Sequence, residues 1–340
     1  MGKEQMKILV YSSVFYPAIG GIENHTLFLV NEFVKAGHIV KVVTEQKQDP
    51  AKPLVNVEII HSSNVLGQLK LFFWSDLVYM PNITLKGVWL FAFNPFKKWV
   101  ISHNDFSLQY TANIKAKLKK FFIARANVNI AVSQCLADFL PVPCKVIYNC
   151  YDDAIFKIYP EEKRQHDIVF VGRLVSQKGC ALLIDACAEL DVPYTLTIIG
   201  DGYEYESLNH KVRSKGLEDK IKFHGFKKGE ELARCLNQHK IMVVPSLDVE
   251  GFGIVALEGL ACGCNMIVSE AGGLAEAVKG HAYTFQMGDK KGLLDALKKC
   301  LDPNTLPISN EADKTAYLQD HSRKKVAEYY LETFKNALNR

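Results

Sequence analysis

The chain has 340 residues, of which 48% are hydrophobic and 23% charged, and a net charge of +4. That length accommodates two domains of ordinary size, and the balance of apolar and charged residues excludes global disorder. The excess charge lies in the first half, +5 over residues 1–155 against −1 over the remainder. This is too diffuse to point to nucleic acid, but it leaves an anionic substrate or an anionic membrane surface open as a partner.

In chain order, KILVYSSV reads as a buried strand and HTLFLVNEFVKAG as a helix closed by Gly37. IVKVVTE, DLVYMP, KWVISHN, NVNIAVS and CKVIYN read as further strands, with SLQYTANIKAKLKKFFIARA as one of the helices between them. A second series begins near residue 167. Its strands are DIVFVGRL, YTLTIIGDG, KIKFHGF, KIMVVPSL and CNMIVSE, and its helices are GCALLIDACAEL, YESLNHKVRSKG, GEELARCLNQH and FGIVALEGLACG. Repeated alternation of strand and helix predicts parallel sheets covered on both faces, here as two doubly wound α/β domains. The join is expected in the polar stretch DDAIFKIYPEEKRQHD. Ligands of open α/β sheets bind at the carboxyl ends of the strands, and with two domains the cleft between them is the expected site.

Nine cysteines without a CxxC pair fit reduced thiols better than a disulfide frame or a zinc site. The start, MGKEQMKILVYSSVF, lacks the apolar core and cleavage site of a signal peptide. The later run VWLFAFNPF falls far short of the ~20 residues that span a bilayer. A cytoplasmic protein is expected, at most touching the inner face of a membrane. The stretches LKGVWLFAFNPFKKW and NIKAKLKKFFIARA leave two readings open. One is ordinary helices with core-facing aromatics and solvated lysines; the other is a cationic, partly apolar surface for a lipid-linked acceptor.

Four segments carry chemistry. In FYPAIGGIENH, Gly20 and Gly21 sit where a strand turns into a helix, so backbone amides can approach an anion there; the plainer reading is a turn. In VGRLVSQKG, Arg173 and Lys178 follow a strand and precede a helix, where fixed cations suit a diphosphate that gains charge as it leaves. In EGFGIVALEGLACG, Glu250 precedes a helix start near Gly253, and Glu258 lies one to two turns inside it. A carboxylate on each side of a helix amino end suits a sugar, a diphosphate and a ribose in sequence. In WVISHND, His103 stands at a strand end, as either a structural or a functional imidazole.

The ordered set GGxE, GRL…KG, GDG, GF before a helix and EGFG…E resembles the family 4 retaining glycosyltransferases of GT-B fold, over nearly the whole chain. The resemblance implies an acceptor-side Rossmann-like domain over 1–155 plus 322–340, closed by the returning helix SRKKVAEYYLETFKNALNR, and a donor-binding Rossmann-like domain over 160–321. It implies that Gly20 and Gly21 face the donor phosphates and that Arg173 and Lys178 bind them. Glu250 would hold the sugar hydroxyls, with the amides of Phe252 and Gly253 nearby, and Glu258 the ribose. Gly225 and Phe226 would frame the base, and His103 would lie near the transferred sugar. The implied reaction moves a sugar from a UDP- or GDP-linked donor to a hydroxyl of a glycan or lipid-linked acceptor with retention, in cell-surface polysaccharide or glycolipid synthesis. No Asp-x-Asp is present, so a metal is not expected, and no cofactor is expected beside the nucleotide diphosphate sugar that serves as donor substrate. One departure is Cys150 in YNCYDD, where the family usually has glycine; a positive φ there would strain a cysteine.

Other readings are a nicotinamide-dependent oxidoreductase, a nucleotide-sugar isomerase or phosphorylase of the same fold, and a non-catalytic sugar-nucleotide binder. The oxidoreductase would need GxGxxG after a strand, and GDGYEYE lacks the third glycine. The phosphorylase would need a cofactor lysine, for which no signal is visible.

Overall fold

A computed structural model describes residues 5–17, 20–47, 57–107, 114–305 and 308–339. The chain divides into two compact units, Met1–Cys150 with His321–Arg340, and Tyr151–Asp320.

The first unit is built on seven strands: β1 (Lys7–Ser12), β2 (Ile39–Thr44), β3 (Glu58–His61), β4 (Leu77–Pro81), β5 (Lys98–His103), β6 (Val128–Ala131) and β7 (Lys145–Val146). They pair in the order β3-β2-β1-β4-β5-β6-β7, all parallel. Both faces of the central strands are covered, so Ile8 to Tyr11 and Leu77 to Met80 are buried without alternation. The helices are α1 (Gly21–Lys35), α2 (Val65–Trp74), the single turn α3 (Leu85–Val88), α4 (Ile114–Ile123) and α5 (Gln134–Phe139). The chain winds one way from β1 to β2 and the other way from β1 to β4. The carboxyl ends of β1 and β4 therefore flank the topological switch point.

The second unit repeats the plan with β8 (His166–Val171), β9 (Leu196–Ile199), β10 (Ile221–Phe223), β11 (His239–Val244), β12 (Asn265–Ser269) and β13 (Ala282–Phe285). The order is β10-β9-β8-β11-β12-β13, again all parallel, with the switch point between β8 and β11. Its helices are α6 (Cys180–Cys187), α7 (Tyr205–Ser214), α8 (Gly229–Asn237), α9 (Ile254–Ala261), α10 (Gly273–Glu276), α11 (Lys290–Leu301) and α12 (Glu311–Asp320). The last helix, α13 (Arg323–Leu338), belongs to the first unit and packs on α1 and β5. Phe334 is fully buried between Phe33 and Tyr79, with ring centroids 5.4 Å from each. Burying such a ring contributes roughly 1.5–3 kcal/mol, enough to hold a helix that is remote in sequence.

Several local expectations change. The edge strands β3 and β13 are additional to those read from the sequence. The helix read over residues 107–126 spans Ile114–Ile123, while 108–113 lie outside the described residues, as do residues 1–4 of the chain's start. VWLFAFNPF forms no ordinary helix: the turn of α3 passes into a 3-10 turn, Trp89–Ala92, that buries Leu90 and Phe91 and leaves Phe93 and Phe96 exposed. Cys150 carries no backbone strain, because among the described residues the only non-glycine with positive φ is Asn82. The Cys150 thiol is fully buried, 3.4 Å from His25 Nδ1.

Candidate functional site

In the second unit, β8 ends at Val171 and the chain runs through Gly172, Arg173 and a 3-10 turn, Ser176–Lys178, into α6. The residue that joins turn and helix is Gly179, at φ +69. A Cβ there would fall 1.9 Å from the Pro245 carbonyl oxygen, so only glycine lets the loop after β8 lie against the loop after β11. The two loops are tied by the Leu247 amide donating to the Gln177 carbonyl at 2.8 Å. This approach brings Lys178 to Glu250.

Lys178 Nζ lies 2.5 Å from Glu250 Oε1, and the Ser246 hydroxyl donates to the same oxygen at 2.6 Å. The Glu250 backbone is pinned by its amide to the Ala271 carbonyl at 3.1 Å and by the Gly273 amide to its own carbonyl at 2.9 Å. Around this pair is a cavity of about 440 Å³, lined by Arg173, Gln177, Lys178, Tyr203, Asp248 and Glu250. It lies at the switch point between β8 and β11, on the carboxyl edge where open sheets hold ligands. Arg173 is exposed and pairs with no carboxylate among the described residues. The cavity thus presents one free guanidinium and one ammonium held by a carboxylate. A phosphate can attract both cations, and the released carboxylate can accept from hydroxyls.

Other predicted residues stand apart from this cavity. Phe252 is buried, and Gly253 caps α9 at φ +96. Glu258 lies in α9, four residues past its first residue, partly buried among Leu257, Gly259 and Leu260. Its carbonyl accepts from the Cys262 amide at 3.0 Å, but its carboxyl makes no hydrogen bond or ion pair among the described residues. Burial, with a smaller effect of the Asp152 charge, pushes its carboxyl up to about 8. Gly225 and Phe226 follow the edge strand β10; Gly225 accepts from the Gly200 amide at 2.9 Å, and the Phe226 ring is 62% exposed.

In the first unit, Gly20 caps α1 in an extended conformation and Gly21 begins the helix, with open space where its Cβ would be. His103 ends β5, buried, with Nε2 3.0 Å from Asn129 Oδ1. Burial holds its imidazole below the usual range against the opposing pull of Asn129 and Asp105, which favours the neutral form. A separate cavity of about 580 Å³ between α1 and α13 is lined by Lys35, His38, Lys324 and Glu328 among others. It opens near the amino end of β2, the edge that open sheets do not use for ligands.

Sequence reasoning missed Ser246 and the Ala271–Gly273 backbone that together aim Glu250. Ser246 gives no signal, whereas the paired Gly272 and Gly273 could have been noticed: a Cβ on Gly272 would meet the Glu250 carbonyl oxygen at 2.8 Å.

Residues 152–319 match the family model described as Glycosyl transferases group 1. An uncharacterized glycosyltransferase of Methanocaldococcus jannaschii is 28% identical over 318 residues, covering 87% of this chain and 88% of that protein. N-acetyl-alpha-D-glucosaminyl L-malate synthase of Bacillus anthracis is 27% identical over 233 residues, 62% of this chain and 60% of that protein. Among solved structures, an Anabaena protein in complex with UDP matches with a TM-score of 0.81 at 22% identity, covering 97% of this chain and 100% of that one.

Proposed function

We propose that the chain is a glycosyltransferase of group 1, whose family model matches residues 152–319, and that it moves a sugar from a nucleotide diphosphate sugar to an acceptor hydroxyl with retention and without a metal. The observation that carries this reading is the Arg173–Lys178–Glu250 cluster around one cavity at the switch point of the second sheet. The donor diphosphate takes Lys178 and Arg173, and the sugar hydroxyls take the Glu250 carboxylate that Lys178 gives up. The bond from the anomeric carbon to the leaving phosphate breaks as the bond to the acceptor oxygen forms on the same face, and the acceptor proton passes to that phosphate. The cations stabilise the charge that grows there. Glu258 reads the ribose, and Gly225 with Phe226 frames the base. Uridine is the first base to try, since the Anabaena protein is in complex with UDP. The oxidoreductase and isomerase alternatives gain no support from the family match.

A hydrolysis screen over UDP- and GDP-sugars tests the reading. One donor should be cleaved slowly without acceptor, undiminished by EDTA, and at least tenfold slower in Glu250→Gln. Cleavage of no donor, dependence on added magnesium, or a Glu250→Gln variant equal to wild type would overturn it.

The membrane reading also has an observation in its favour. At ~100° per residue, Ile114, Leu118 and Phe121 of α4 fall within ~60° of one another, opposite Ala116 and Ile123. The first three are 82%, 44% and 48% exposed, while Ala116 and Ile123 are buried. An outward apolar stripe flanked by Lys115 and Lys117 fits an anionic bilayer surface. Among the described residues no helix is long and apolar enough to cross a membrane. Flotation with vesicles containing phosphatidylglycerol should recover wild type and lose Leu118→Glu; equal recovery of both would refute the contact.

A further inference from the structure

The first unit has a cavity of its own at the point equivalent to the donor pocket of the second. It measures about 570 Å³ and is lined by Ser13, Ile83, Thr84, Lys86, Lys115 and Lys119 among others. Ser13 directly follows β1, and Ile83 to Lys86 follow β4, so the cavity opens at the switch point on the carboxyl edge. Its size is that of a small-molecule site. Switch points recruit ligands because the flanking loops diverge there and leave a crevice.

The cavity is cationic. Lys86 is held by Glu45 at 2.5 Å, but Lys115 and Lys119 meet no carboxylate among the described residues. Three ammonium groups thus stand against one carboxylate. Two hydroxyls line the same space. Thr84 accepts from the Lys86 amide at 3.4 Å, and the Ser13 hydroxyl has no hydrogen-bond partner among the described residues.

Two of the α4 lysines are placed at the cavity by helical spacing. Lys115 and Lys119 are one turn apart and border the cavity, with the buried Ala116 between them. Ile114, Leu118 and Phe121 are exposed, and so are Lys115, Lys117 and Lys120, so the outward side of α4 mixes apolar and cationic positions. Several lysines, each a compact charge with rotatable donors, suit a phosphate carrying nearly two negative charges better than a single carboxylate.

We propose that this cavity at the switch point of the amino-terminal sheet binds a phosphate group carried by the acceptor. That the phosphate belongs to an acceptor rests on the transferase reading above; that the cavity holds a phosphate does not. The acceptor class is therefore a phosphorylated alcohol or sugar, free or lipid-borne.

The test measures phosphate binding with UDP present at saturation, so that the donor pocket is filled. Two probes separate the sources: glycerol 1-phosphate in solution, followed by phosphorus NMR, and phosphatidic acid in phosphatidylcholine vesicles, followed by sedimentation. The Lys115→Gln/Lys119→Gln double variant should bind at least tenfold more weakly to one probe or both, with UDP affinity unchanged. A Lys117→Gln/Lys120→Gln variant, which removes the same charge from positions that do not line the cavity, should keep its affinity for glycerol 1-phosphate. Loss with the soluble probe assigns a free phosphate, and loss confined to vesicles that the Lys117→Gln/Lys120→Gln variant still binds as wild type does assigns a lipid headgroup; both support the site, whereas equal loss of vesicle binding by the two variants, with no binding of the soluble probe, assigns a bilayer contact of α4 and overturns it. Binding of neither probe by wild type, or equal binding by wild type and the Lys115/Lys119 variant, overturns it. A wild type that binds glycerol 1-phosphate through these lysines but does not bind UDP would remove the donor reading and leave this site standing.

Discussion

Replacing Lys178 with alanine is expected to lower turnover roughly 100- to 1000-fold, the range seen when one fixed donor to a developing oxyanion is removed. The fold should survive the change. Lys178 pairs with Glu250 at 2.5 Å, yet the two side chains keep 26% and 20% of their surface exposed. A pair that wet contributes on the order of 0–1 kcal/mol to stability. After the substitution, Glu250 still accepts from Ser246 and its backbone is still pinned to Ala271 and Gly273. On the proposed mechanism catalysis loses several times more free energy than folding does, because there the leaving phosphate gains its charge beside Lys178. Lys178→Arg should recover part of the rate by restoring charge, though its planar fork cannot reproduce a point contact in the same volume. The measurement is steady-state donor cleavage beside a thermal melt. Turnover within about threefold of wild type, in a protein with an unchanged melt, would detach Lys178 from the leaving group.

The residues of that cluster were legible because each follows a run of buried apolar residues. DIVFVG and KIMVVPS announce β8 and β11 by their composition, and polar residues immediately after a parallel strand stand on the ligand edge. Edge strands offer no such signal. In β3, Glu58 and His61 are exposed, and in β13 only Phe285 is buried, so neither presents a continuous apolar run. The helix α2 was hidden for a different reason. It is apolar on most sides, exposing Leu66 and Phe73 while burying Leu71 and Phe72, and so lacks a clear 3.6-residue period. Of what aims Glu250, the Gly272–Gly273 pair is visible in the sequence but its role is not, since that backbone meets Glu250 only when β11 and β12 lie side by side; Ser246, four residues before Glu250, leaves no signal at all. Cys150 shows the converse: glycine is usual at that position among the proteins this chain resembles, but its backbone here does not demand one.

Affinity for the nucleotide sugar is expected to rise with pH between about 6 and 8 and then level off, with Glu258 as the titrating group. In the empty protein, burial and the nearby Asp152 raise the Glu258 carboxyl to about 8, so it is mostly protonated at neutral pH. Ribose hydroxyls that donate to it prefer the carboxylate. Binding must then expel the proton, at a cost of about 1.4 kcal/mol for each pH unit below 8, which weakens affinity by up to about tenfold per unit as pH falls. The donor's own phosphates are diesters with no proton to lose in this window. The same shift has a second consequence without ligand. A raised acid binds more protons folded than unfolded between its model value of 4.5 and about 8. Stability is therefore fully present at the low end of that window and declines as pH rises through it. On the proposed ribose contact, ligand and fold pull Glu258 in opposite directions: the fold favours the neutral acid, and the donor favours the anion. Calorimetric titration at pH 7 in two buffers of different ionisation enthalpy should register close to one proton released per donor bound, and Glu258→Gln should release none. Proton uptake, or an affinity that falls as pH rises through 8, would mean that the neutral acid reads the ribose as a donor, and the assignment of Glu258 as an accepting carboxylate would fail.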